Sequence, residues 1–254
     1  MNATLSLPQG LAHAASARFR PAGRFAYHYA RGKIGGDAAF AALLQQGVLP
    51  PRPRWLDLGC GQGSLFALLL AAQDWQSQGR WPAGWPAPPQ AQQLRGVELM
   101  ARDVERAAQA FGSDHPVVRV EQGDMNQVDF DRCDVVTIFD ALHYFDHARQ
   151  RQVLQRIHAA LTPGGLFITR IGDAGAGLPF ALSQWVDRAV TWGRGHRVPP
   201  LYCRRLADWR ALLQSVGFEV SSQPMSGALP FANVLLVCRV PQAKLTGTTN
   251  NQVG

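Results

Sequence analysis

The chain has 254 residues, 46% of them hydrophobic, and a formal net charge of +7. That length and apolar content suit one large globular domain better than two small ones. No run approaches the roughly 18 apolar residues of a membrane span, and the start, MNATLSLPQGLAHAASARFR, lacks the basic head and apolar run of a secretory signal.

Residues 1–36 come first, with aromatic and basic residues together in RFAYHYARGK. They hold five basic residues (Arg18, Arg20, Arg24, Arg31, Lys33) and no acidic one, and they are expected to form an N-terminal helical cover. From Arg54 the chain alternates short apolar runs with helical periodicity. RWLDL is a predicted strand and Ser64 to Ala72 a buried helix. Residues 76–93, QSQGRWPAGWPAPPQAQQ, read as a Pro/Trp loop insertion. LRGVEL, VVRVE and DVVTIF are predicted strands, with a helix at Ala101 to Phe111 between the first two. A helix over His147 to Leu161 follows, with Val153, Leu154, Ile157, Ala160 and Leu161 on one stripe.

LTPGG punctuates the end of that helix before the strand GLFITRI. Residues 172–205 interrupt the alternation and read as a lid insertion. They place Leu178, Leu182, Trp185, Val186 and Ala189 on one helical face and hold five arginines against Asp173 and Asp187. A helix over Leu206 to Val216, capped by Gly217, leads to two closing strands, FEVSS and NVLLVCRV. The tail from 241 to 254 has the composition of a disordered segment. Strands alternating with helices predict an α/β fold, a doubly wound and mostly parallel sheet with a final antiparallel strand. Four cysteines, Cys60, Cys133, Cys203 and Cys238, form no CxxC pair. Neither zinc nor disulfides are expected, no metal site is indicated, and a reduced, cytoplasmic setting is.

The first strand runs into Gly59-Cys60-Gly61-Gln62-Gly63, a G-x-G-x-G turn. The dinucleotide fingerprint G-x-G-x-x-G would need its third glycine where this chain has Ser64. The shorter spacing suits a ligand that approaches bare backbone without a diphosphate. Asp57 precedes the turn at the strand end, and Glu98 ends the second strand, where a carboxylate accepts both hydrogen bonds of a ribose diol. QGDMNQVDF follows the third strand and sets Asp124 to take an adenine amino group, with the thioether of Met125 along the ring.

These motifs, LDLGCGQG, GVEL, GDM, VVTIFDALHYF and LTPGGLFITR, resemble class I S-adenosylmethionine-dependent methyltransferases of the small-molecule type. The resemblance covers residues 54–172 and extends through NVLLVCRV to 240. It implies a Rossmann-like seven-stranded sheet over residues 37–240 with S-adenosylmethionine at its carboxyl edge and S-adenosylhomocysteine as the product. It implies that Asp57, Gly59, Gly61 and Gly63 border the methionine portion, Glu98 the ribose, and Asp124 and Met125 the adenine, with Cys60 and Leu99 also among the cofactor-binding residues. Phe139 and Asp140 would line the other side. Asp57 and Glu98 stand 41 residues apart, a spacing lengthened by the 76–93 loop.

Methyl transfer needs an in-line, water-free arrangement, and a base only where the nucleophile must lose a proton. His143, after the fourth strand, is the candidate base, alongside a reading in which it orients its loop. Tyr27, Tyr144 and Trp185 are candidate substrate contacts, and Arg31 or Lys33 would meet the cofactor carboxylate. The charge concentrated in the two cover segments favours an anionic small molecule, an acyl-carrier-bound one or an anionic membrane surface. The cover segment and PFANVLLV also resemble methyltransferases of bacterial aromatic-polyene pigment pathways. A nucleic-acid methyltransferase is the alternative that the basic charge suggests, but no RNA-binding module or NPPY run is present. A non-catalytic cofactor-binding protein is the third reading.

Overall fold

The computed structural model of the chain describes residues 5–176, 201–225 and 233–242. The expected face of residues 178–189, with Trp185, and the tail from 243 lie outside them. Three helices open the chain: α1 (Leu11–Ala17), α2 (Arg24–Gly36) and α3 (Ala38–Gln45). Then follow β1 (Arg54–Leu58), α4 (Ser64–Ser77), β2 (Gln93–Glu98), α5 (Ala101–Phe111), β3 (Val118–Gln122) and β4 (Cys133–Phe139). A 3₁₀ turn over Leu142–Tyr144 leads to α6 (His147–Ala160) and β5 (Leu161–Gly172). The described elements close with α7 (Leu206–Val216), β6 (Glu219–Pro224) and β7 (Asn233–Arg239).

The seven strands form one sheet in the order β3-β2-β1-β4-β5-β7-β6, with β7 antiparallel to both β5 and β6. Alternation along each strand divides the core between two faces. Trp55, Val135, Leu166 and Ile168 face the layer that contains α1 to α4, whereas Leu56, Leu58, Val136, Ile138 and Phe167 face α6 and α7. Helices on both faces match the doubly wound expectation.

The N-terminal helices belong to this core. In α2, Ala26, Ala30 and Ile34 recur every four residues and are fully buried, in the same cluster as Phe66 and Leu69 of α4. Burying a side chain such as Ile34 contributes about 1.5–3 kcal/mol. β5 begins earlier than Gly165, because Leu161 pairs with Cys133 before a register shift between Cys133 and Val135. The 76–93 segment is held in place: Trp81 Nε1 donates to the Pro86 carbonyl at 2.9 Å, and Gln90 and Gln92 donate backbone bonds to Pro51 and Pro53. These bonds lie before the starts of β1 and β2, at the amino edge of the sheet and away from the glycine turn.

Candidate functional site

In a parallel sheet whose strand order reverses, ligands bind outside the carboxyl ends at the switch point. Here that point lies between β1 and β4, the neighbours that carry Asp57, Phe139 and Asp140. The glycine turn leaves β1 with all three glycines left-handed, at φ 76°, 57° and 82°. Gly61 and Gly63 serve different ends. A Cβ on Gly63 would stand 2.8 Å from Phe111 Cε2, so that glycine is needed for packing against α5. A Cβ on Gly61 would meet nothing within 4 Å, so its backbone faces open space. A cradle bare at Gly61 fits a ligand that lies against the main chain.

Around that opening the structure gathers the expected residues. Glu98 accepts from the Gly61 N–H at 2.8 Å through Oε2 and from the Met100 N–H at 2.9 Å through Oε1. Each carboxylate oxygen keeps a second lone pair for a ligand hydroxyl. The Glu98 carbonyl accepts from the Gly123 N–H at 3.0 Å, which ties the β2 tip to the Gly-Asp turn after β3. In that turn Asp124 Oδ1 takes the Asn126 backbone and side-chain N–H groups, both at 2.8 Å. Met125 Cε lies 3.5 Å from where a Gly59 Cβ would be. Leu99 is 63% exposed, an apolar side chain left open beside Glu98.

Cys60 contributes main chain. Its Sγ turns under the loop, 2.6 Å from where a Gly96 Cβ would stand. Burial, with Asp57 and Glu98 adding negative charge, holds the thiol well above its ordinary range. Asp57 is buried and accepts from the Thr137 hydroxyl at 2.6 Å. Desolvation pushes its carboxyl up to about 7; the Thr137 bond and Lys33 oppose the rise, and Glu98 adds to it.

A second group of charges closes the β4 side. Lys33 of α2 pairs with Asp37 at 2.9 Å and Asp140 at 3.4 Å. Arg170 of β5 pairs with Asp37 at 2.5 Å and, through two nitrogens, with Asp140. Asp140 holds a left-handed backbone, φ 56°. Desolvation by the side chains packed around it would raise its carboxyl, but Arg170 and Lys33 hold it well below the usual carboxylate range. Burial likewise works against the Lys33 charge, and Asp140 and Asp37 outweigh it and raise the amine above its ordinary range. Of the two cations considered for this place, Lys33 is the one in contact with the strand-tip carboxylates; Arg31 is exposed.

His143 sits on the 3₁₀ turn, its ring 4.3 Å from that of Tyr144 and close enough to Asp140 to interact with it electrostatically. Its carbonyl accepts from the Tyr202 N–H at 2.8 Å, which joins this turn to the far end of the 172–205 segment. Tyr144 is 39% exposed. Tyr27 meets α1 instead: its hydroxyl lies 3.3 Å from His13 Nδ1, with Arg20 over its ring. Phe139 packs edge-on against Phe40 of α3.

Sequence reasoning passed over Gln62, Thr137 and Arg170. Gln62 is buried and donates to the Ala26 carbonyl at 2.8 Å, fastening α2 to the glycine turn. Thr137 was marked only by being the one polar residue in VVTIF, and Arg170 only by a charge at the end of FITR. Among the described residues, no cluster of His, Cys, Asp and Glu is arranged to hold a metal, and no helix is long and apolar enough to cross a membrane.

Residues 56–167 match the family profile described as a methyltransferase domain. Over 114 residues the chain is 31% identical to a carboxy-S-adenosyl-L-methionine synthase of Chromohalobacter salexigens. That match takes in 44% of this chain and spans only 37% of the curated relative. Among solved structures, human N-acetylserotonin methyltransferase in complex with S-adenosylmethionine superposes with TM-score 0.58 at 14% identity, over 91% of this chain and 58% of that one. Magnesium protoporphyrin IX methyltransferase of Synechocystis PCC 6803, with bound S-adenosylhomocysteine, gives TM-score 0.57 at 17% identity, over 91% and 96%. At such identities the likeness is one of fold.

Proposed function

We propose that the protein is an S-adenosylmethionine-dependent methyltransferase acting on a small, anionic organic molecule, free or carrier-bound, a reading supported by the match of residues 56–167 to a methyltransferase-domain profile and by the Rossmann-like fold. One observation carries the cofactor reading: the Glu98 carboxylate stands at the β2 tip, bonded to the Gly61 N–H of a turn that is otherwise bare. Bound there, the sulfonium supplies an activated methyl group. The chain's own residues bind and orient: Glu98 takes the ribose diol, Asp124 the adenine amino group, and Leu99 and Met125 the faces of the ring. Asp57 and Lys33 offer opposite charges to the amino-acid end. Phe139 adds an apolar ring beside the β4 charges, and His143 is the candidate to take a proton from the nucleophile.

The anionic substrate class rests on charge. The N-terminal 36 residues carry five basic and no acidic residues, and their helix α2 is fastened to the glycine turn through Gln62. Arg24 and Arg31 of α2 are exposed to solvent, where they raise the local concentration of anions. The cofactor reading is tested by calorimetric binding of S-adenosylhomocysteine to the wild-type chain and to Glu98→Ala. Loss of two charge-assisted bonds predicts a dissociation constant at least tenfold higher, about 1.4 kcal/mol, with an unchanged far-ultraviolet spectrum. An unaltered constant refutes the ribose assignment.

A further inference from the structure

Asp57 and Thr137 are register partners on β1 and β4. Trp55, two residues before Asp57, shares its face of the sheet. The three side chains form a line through the buried layer: Trp55 Nε1 donates to Thr137 Oγ1 at 2.9 Å, and Thr137 Oγ1 donates to Asp57 Oδ1 at 2.6 Å. An indole only donates, so the hydroxyl accepts from it and keeps its single proton for Asp57, the direction that stabilises the carboxylate. The line delivers a hydrogen bond to Asp57 from within the buried layer, with Trp55 1% exposed, Thr137 0% and Asp57 4%.

The charged and titratable groups facing Asp57 come from three elements. Glu98 at the β2 tip repels a second negative charge, the buried Cys60 thiol in the glycine turn offers no cation, and Lys33 of α2 attracts. Lys33 is itself shared with Asp37 and Asp140, which Arg170 also holds. Burial above all, with Glu98 adding and Thr137 and Lys33 opposing, raises the Asp57 carboxyl to about 7, so acid and carboxylate balance near neutral pH. A cation brought beside it tips that balance.

We infer that Trp55 and Thr137 are positioning residues for Asp57, and that entry of the cationic cofactor expels a proton from the Asp57 carboxyl to solvent. The Asp57 O–H bond breaks, the proton goes to buffer, and the carboxylate that remains faces the ligand's positive end. The inference rests on the cofactor reading above and adds to it a pH dependence set by Thr137.

The test is calorimetric titration of the intact chain with S-adenosylmethionine at pH 6, 7, 8 and 9, in pairs of buffers that differ in ionisation enthalpy. The ligand's own amino group titrates at about 7.7–8.0 and is already largely charged at pH 6 and 7, so the release at those two values is read against Asp57→Asn as the baseline. Relative to Asp57→Asn, the wild-type affinity should weaken about tenfold from pH 8 to pH 6, as the competent fraction falls. About half a proton per site should be released at pH 7 beyond the baseline. Thr137→Val should move the midpoint upward, so that binding is several-fold weaker than wild type at pH 7 and equal to it at pH 9. Thr137→Ser should restore the wild-type profile. A wild-type profile identical to that of Asp57→Asn, or a Thr137→Val loss equal at every pH, overturns the inference while leaving cofactor binding intact. No binding by the wild-type chain at any pH overturns the cofactor reading itself.

Discussion

At Asp57, burial and the proposed cofactor contact make opposite demands on one carboxyl. A carboxyl buried at a strand tip beside Glu98 costs the empty protein stability once it ionises. Its folded value of about 7 exceeds the ordinary carboxylate value of 3.8. Between those two limits the folded state holds the proton that the unfolded state has lost, so stability contributed by Asp57 is complete below the lower limit. It declines as pH rises toward the upper one and stays low beyond it. Asp57→Asn keeps an acceptor for Thr137 and removes the titration. The variant should melt at least about 2 °C above wild type at pH 8 without ligand, the shift that ~1 kcal/mol produces in a chain of this size, and the gap should close toward pH 5. A thermal melt series across that range reads both effects; a gap independent of pH contradicts the assignment of the proton to Asp57. Glu98 has no such conflict, since two backbone N–H groups satisfy its oxygens before any ligand arrives.

Among the elements, α2 and β5 meet through Arg170, whose side chain is 11% exposed and bridges Asp37, 3% exposed, to Asp140, 45% exposed. Asp37 also caps α3, its Oδ1 accepting from the Ala39 N–H at 3.0 Å. Removing the guanidinium strands the Asp37 charge with Lys33 as its remaining cation among the described contacts. Arg170→Met should therefore lower the unfolding free energy by about 3 kcal/mol, the cost of breaking a buried pair from one side. Urea denaturation checks this, and a loss below about 1 kcal/mol would place the network under solvent screening. Much of the element order was legible because amphipathic helices and alternating strands write their periods into the chain. α3, AAFAALLQ, has no such period: six of its eight residues are buried, so no polar face marks it. The choice between Arg31 and Lys33 needed the helix phase. The buried stripe Ala26, Ala30 and Ile34 was the available signal, since Lys33 and Asp37 flank it and Arg31 turns away.

At the scale of the molecule, the strand order brings the ends of β1, β2, β3 and β4 to one edge, so residues as distant in sequence as Asp57 and Asp140 lie at the same edge of the sheet. Motif spacing was enough to foresee that gathering for Asp57, Glu98, Asp124 and Met125, because each follows or ends a strand. It did not reveal contacts that depend on register, such as Thr137 opposite Asp57, nor those that depend on a packed cover, such as Gln62 against Ala26. The N-terminal segment, expected as a cover, shares one apolar cluster with α4, so it adds buried area as well as positive charge. The account as a whole depends on a nucleoside lying over the glycine turn. A crystal of the intact chain soaked with S-adenosylhomocysteine tests this most directly: the ribose hydroxyls should rest on Glu98, the adenine between Leu99 and Met125, and the amino-acid end against Asp57 and Lys33. Density for the nucleoside elsewhere on the surface, or a cleft that excludes it while a diphosphate binds at Gly61, would contradict the account.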